Sequence, residues 1–159
     1  MGDMGNWGNW GDKGKAKLEY QKFRVRGHIR SFRDLEIYKQ TTLLSSQIYG
    51  LELPPKIKNK KLLEQELEIL RNISKQIPRL IAESYGDKFS NRNLAYQKLE
   101  EAAQQISQVI AKMDFLIATV EHTDTKQIFI KLISRYQTQR RKVLNLKRAW
   151  ERVEENKGG

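Results

Sequence analysis

The stretch that decides the fold is Leu99–Val120, LEEAAQQISQVIAKMDFLIATV. In it Leu99, Ala103, Ile106, Ile110, Met113, Ile117 and Val120 follow one another at alternating steps of four and three. Those steps keep side chains on one face of an α-helix, where residues three and four apart lie over one another. Ala102, Val109 and Leu116 form a second row beside the first. Two rows make the wide stripe of a helix inside a bundle, broader than the seam of an isolated coiled coil.

Working outward, the same periodicity predicts three further helices. The second helix is expected over about 59–84, with Leu63, Leu67, Leu70, Ile77 and Ile81 inside and Leu62, Ile69, Ile73 and Leu80 widening the stripe. Pro78 falls within it. Its missing N–H leaves the carbonyl of Ser74 without its usual donor, so a bend is expected there. Arg79 and Glu83 have the spacing of an i, i+4 pair on the outer face. Gly86 is the expected C-cap, and Ser90 the next N-cap.

The first helix should start at Ser31 or Asp34 and reach about Tyr49, burying Leu35, Tyr38, Leu43, Leu44 and Ile48. Gly50 and Pro54-Pro55 stop it, and Lys56–Lys61 is a basic connector. Downstream, Asp124 with Gln127 has the spacing of a capping box. It opens a fourth helix over about 125–154, with Ile128, Leu132, Tyr136, Val143, Leu146, Trp150 and Val153 as its stripe. Four amphipathic helices joined by short turns predict an all-α, up-down-up-down four-helix bundle over residues 31–155.

Residues 1–30 read as a flexible, basic extension. The tandem GNWGNWG at Gly5–Gly11 loses too much backbone entropy to order without a partner. Trp7 and Trp10 can stack on bases, dock on a protein or belong to an idle tail. From Leu18 to Arg33, Tyr20, Phe23, Val25 and Ile29 interleave with Lys22, Arg24, Arg26, Arg30 and Arg33. That pattern suits an arm that contacts nucleic acid, and it equally suits a solvated linker.

Charge follows the same division. Of the net +11, residues 1–33 carry +5 and residues 125–159 carry +7, while the 91 residues between them carry −1. Basic ends on a balanced middle point to a polyanionic partner and to the surfaces that meet it. With no cysteine in 159 residues, disulfides and thiolate metal sites are excluded. No apolar run approaches a membrane span, and no secretory signal pattern is present, so a soluble cytoplasmic protein with no membrane contact is expected.

The residues that carry chemistry are sparse. His28 and His122 stand far apart with no nucleophile pattern, and His122 reads as a polar turn residue. There is no glycine-rich phosphate loop and no E-x-x-H pair of a di-iron bundle. Glu64, Glu66 and Glu68 scatter around their helix as a solvated face. A non-enzyme without cofactor or metal is expected.

The fourth helix holds the candidate site. At 100° per residue, Lys131, Arg135 and Lys142 fall within about 40° of one another. Arg141, Arg148 and Arg152 form a second stripe of similar width. Arg140 and Lys147 form a third beside the apolar face. From Thr125 to Arg152 the only acid is Glu151, whereas a solvated helix ordinarily mixes signs at i, i+4. Together with Lys22, Arg24, Arg26 and Arg30, these are the candidate phosphate contacts, with weak sequence preference expected.

Two stretches carry a resemblance. FRDLEIYKQTTLLSSQIY (Phe32–Tyr49) resembles the opening helix of the bacterial four-helix proteins encoded in intervening sequences of large-subunit ribosomal RNA genes, with their F-x-D-L-x-x-[YW] and a later I-Y. IPRLIAESYG (Ile77–Gly86) resembles their I-x-x-N-I-A-E-G segment, with Leu80 in place of the asparagine and Ser84 in place of the glycine. The family includes the accessory variability-determinant proteins of diversity-generating retroelements. Pro78, the basic fourth helix and the long extension lean towards that branch. The resemblance implies a non-catalytic homopentameric ring with a basic surface. In the retroelement branch it implies a scaffold for a reverse transcriptase and its template RNA during mutagenic copying. In the other branch it implies a ribosome- or rRNA-associated bundle. A purely structural oligomer remains the third alternative.

Overall fold

A computed structural model describes residues 31–158. A 3-10 turn, Phe32–Asp34, leads into α1 (Glu36–Tyr49), followed by α2 (Lys60–Asp87), α3 (Arg92–Thr119) and α4 (Thr123–Gly158). The described residues form an all-α four-helix bundle. Each helix packs on its neighbours in sequence, and α1 closes the ring on α4, while the diagonal pairs do not meet.

Side-chain bridges show the antiparallel order. Ser45 and Ser74 hydroxyls lie 3.1 Å apart, and Arg71 donates to the Leu51 carbonyl at 2.9 Å, tying α1 and the chain after it to α2. Between α2 and α3, Lys98 bridges Asp87 at 2.7 Å and Glu83 at 3.3 Å, and Lys112 meets Glu66 at 3.4 Å near the other end. Between α3 and α4, Arg140 donates to Ser107 at 2.8 Å, and Arg92 reaches Glu154 at 3.6 Å.

The core is the double row read from α3. Ile110 and Ile117 of these rows are only half-buried, while Leu99, Ala102, Ala103, Ile106, Val109, Met113, Leu116 and Val120 are buried. Buried with them are Leu67, Leu70, Ile77, Leu80 and Ile81 of α2, Leu44 and Ile48 of α1, and Phe129, Leu132, Tyr136 and Val143 of α4. Removing each large apolar side chain from water contributes roughly 1.5–3 kcal/mol.

The apolar surface departs from the sequence reading in particular places. Leu43 lies opposite the buried face of α1 and is exposed; Ile37 takes the core position instead. On α2, Leu62 and Ile69 stay exposed while Leu80 is buried; on α4 Phe129 is buried while its neighbour Ile128 is exposed, and Val153, expected in the stripe, is exposed as well. On α2 a single flanking row is thus exposed near the helix start and buried near its end, where the neighbouring helices cover it.

Caps also shift. Helix α2 runs through Pro78 and Gly86 without a break to Asp87, so Gly86 is not its cap. The N-cap of α3 is Asn91, whose Oδ1 accepts the Leu94 N–H at 3.1 Å, and not Ser90. At the start of α4 the His122 ring Nδ1 accepts the Thr125 N–H at 3.3 Å, so the ring takes the capping role expected of Asp124.

Helix lengths are unequal. With 14 residues, α1 is about 21 Å long, against about 42 Å for α2 and α3 with 28 each and about 54 Å for α4 with 36. The flank that α1 leaves open is followed by the connector 50–59, held by the Arg71 bond to Leu51 and by buried Leu53. Asn59 turns the chain into α2 with a left-handed φ of 58°, a conformation asparagine tolerates better than most side chains.

Candidate nucleic-acid interface

The core face of α4 is anchored by Phe129, Leu132, Tyr136 and Val143, which orients every cation on the helix. Opposite that face stand Arg141, Arg148 and Arg152, all exposed. Eleven residues separate the first from the last, about 16 Å along the axis. Arg148 donates to Asn145 Oδ1 at 2.9 Å, which holds its guanidinium outward beside Arg141 and Arg152. Arg141 and Arg152 make no hydrogen bond or ion pair among the described residues.

The second stripe, Lys131, Arg135 and Lys142, is also exposed and faces the flank of α1. Arg135 donates to Gln47 Oε1 at 3.3 Å, bringing this stripe to the end of α1, where the connector begins. The connector adds Lys56 and Lys58, and the first turn of α2 adds Lys60 and Lys61, all exposed. The charge run itself was visible in the sequence; its nearness to α4 depends on the Gln47 contact.

The third stripe turns inward to α3. Arg140 is exposed but tied to Ser107. Lys147 is held by Glu151 at 3.0 Å and Glu100 at 3.9 Å, with its side chain only 21% exposed. Its charge is matched within the fold, so Lys147 is a seam residue rather than a phosphate contact. Lys22, Arg24, Arg26 and Arg30 lie outside the described residues.

The result is a strip of at least six exposed cations on α4, bordered by neutral Ser134, Gln137 and Asn145. Among the described residues, no group of three His, Cys, Asp or Glu is placed to hold a metal ion, and no helix is long and apolar enough to cross a membrane. Compared with known proteins, the chain matches no family model, no curated protein and no solved structure.

Proposed function

We propose that this protein is a non-catalytic scaffold that binds RNA or DNA through phosphate contacts along α4. The observation that carries this reading is the strip of Lys131, Arg135, Arg141, Lys142, Arg148 and Arg152, exposed on one helix, where the single intervening acid, Glu151, is turned to Lys147. Rows of cations bind nucleic acid by releasing condensed counterions, so affinity depends on salt and little on sequence.

The resemblance of Phe32–Tyr49 and Ile77–Gly86 to the retroelement accessory proteins supports a narrower reading. In it, the nucleic acid is the template RNA of a diversity-generating retroelement and the partner is its reverse transcriptase, held by a homo-oligomeric, pentameric ring in the cytoplasm. A neighbouring reverse transcriptase gene with paired template and variable repeats is the observation expected of it.

The broader function is tested by anisotropy titration with labelled RNAs and DNAs of unrelated sequence. Affinities within a few-fold of one another are expected, with log K falling against log salt by about 0.7 per phosphate for single strands and about 0.9 for duplex DNA. An affinity that stays flat as salt rises refutes the proposal.

A further inference from the structure

At the end of the bundle where α2 turns into α3, the fold assembles an aromatic cluster from α2, the turn after it and α4. Phe89, in the turn, is 71% exposed, the highest exposure of any large apolar side chain among the described residues. Tyr85 supports it edge-on, with ring centroids 5.4 Å apart. The Lys88 ammonium lies 5.2 Å from the rings of both Tyr85 and Phe89 and 4.9 Å from that of Trp150, which arrives from α4. A cavity of about 230 Å³ opens against Phe89, Trp150 and Val153, with Lys88 and Arg92 at its edge. That volume lies below the roughly 300–1,000 Å³ of sites for drug-sized ligands and suits one planar ring system.

We infer that this cavity takes a single unpaired base of a nucleic acid strand, stacked on Phe89 and Trp150, with the adjoining phosphate at Lys88. The inference rests on the nucleic-acid reading of α4 and adds to it a site for single strands. Three observations carry it. Every base has a π-face, so aromatic side chains beside a cationic groove bind single strands regardless of sequence. Val153 lies on the same side of α4 as Lys131, Arg135 and Lys142, with Trp150 about 60° beyond it, so a backbone tracking that stripe reaches the cavity along the helix. The remaining wall sets the orientation. Glu154 accepts from the Tyr96 hydroxyl and pairs with Arg92 at 3.6 Å, so this wall is a matched ion pair with no net charge to hold a phosphate, and the interior is left to the base. A base inside a duplex is not available for this contact, which distinguishes the cavity from the phosphate strip.

The test uses the full chain with Trp7→Phe and Trp10→Phe, which leaves Trp150 as the sole tryptophan of three. Single-stranded oligouridylate and oligoadenylate are expected to quench Trp150 fluorescence, and a duplex of the same length to bind without quenching it. Phe89→Ala should weaken single-strand binding by roughly 5- to 100-fold and leave duplex binding unchanged. Phe89→Tyr, which keeps the ring, should restore it. If Phe89→Ala binds single strands as the parent does, or Trp150 stays unquenched by bound single strands, the base site is overturned while the phosphate strip stands. If neither single strand nor duplex binds, the strip and the base site fall together.

Discussion

Replacing Arg141, Arg148 and Arg152 together by glutamine removes three charges without touching the core. All three side chains point away from the face that carries Leu132, Tyr136 and Val143. Exposed substitutions of this kind change stability by no more than about 0.5 kcal/mol each, so the melting curve should barely move. Binding should respond strongly. If each arginine neutralises one phosphate, the slope of log K against log salt becomes shallower by about 2 for a single strand, 0.7 for each contact. Taken at about 0.15 M salt, and with the electrostatic gain vanishing near 1 M, that is roughly a 50-fold loss of affinity. The loss should shrink as salt rises. Anisotropy titrations of parent and triple variant across a salt series measure slope and affinity together. Lys147→Gln is the internal control, because Glu100 and Glu151 already match its charge; its slope should stay near the parent's. A triple variant that keeps the parental slope would show that the strip is a solvated surface.

Self-association is expected, because Leu62, Ile69 and Phe115 lie exposed towards the end of the bundle marked by the Glu66–Lys112 pair. Light scattering should give a multiple of 18.7 kDa, reduced by Leu62→Glu with Phe115→Glu; a strict monomer at micromolar concentration refutes it. The Tyr136 hydroxyl is buried with no protein partner among the described residues, so Tyr136→Phe should be neutral or stabilising by up to about 1 kcal/mol in urea unfolding. A clear loss of stability would show that the hydroxyl is satisfied in solution. The hydrogen bond from Arg79, with the help of Lys98, holds the Glu83 carboxyl below its ordinary value. A depressed carboxylate contributes stability above its unfolded pKa and loses it as pH falls through the folded one. Melting temperature should therefore drop on acidification below the usual carboxylate range, and drop less in Glu83→Gln. The reverse sign holds for Lys98, raised by its hydrogen bond to Asp87 despite burial; its contribution persists through neutral pH and is lost only in strong alkali.

The bundle was legible because α3 repeats its pattern without interruption, and a repeat of that length admits only one structure. Shorter patterns were ambiguous. In α1 Leu43 is apolar by type, yet helical spacing puts it on a different face from Ile37, Leu44 and Ile48, and the short helix gives too few repeats for that face to stand out. Asn91 and Ser90 are adjacent residues with the same capping chemistry, so sequence alone does not rank them. For the candidate site, the positions of Arg141, Arg148 and Arg152 follow from angle alone and needed no tertiary information. The neutralisation of Lys147 did need it, since Glu100 lies 47 residues earlier on another helix. The base site was invisible for the same reason: Lys88 and Phe89 read as a turn until Trp150 is brought across from α4.

The short α1 has a consequence for how the molecule breathes. Over one half of its length the bundle is closed by a helix, and over the other by the irregular connector, whose hold on α2 rests largely on Arg71 and Leu53. Opening that strap exposes little apolar area and breaks few backbone bonds, so it is the low-energy excursion of the native state. Amide exchange should accordingly be fast from Gly50 to Lys60 and slowest in the middle of α2 and α3. The strap carries Lys56 and Lys58 and leads to Lys60 and Lys61. A polyanion gripping these lysines together with Lys131 and Arg135 would restrain the strap, and protection of these amides on binding would report contact at a place where no helix moves.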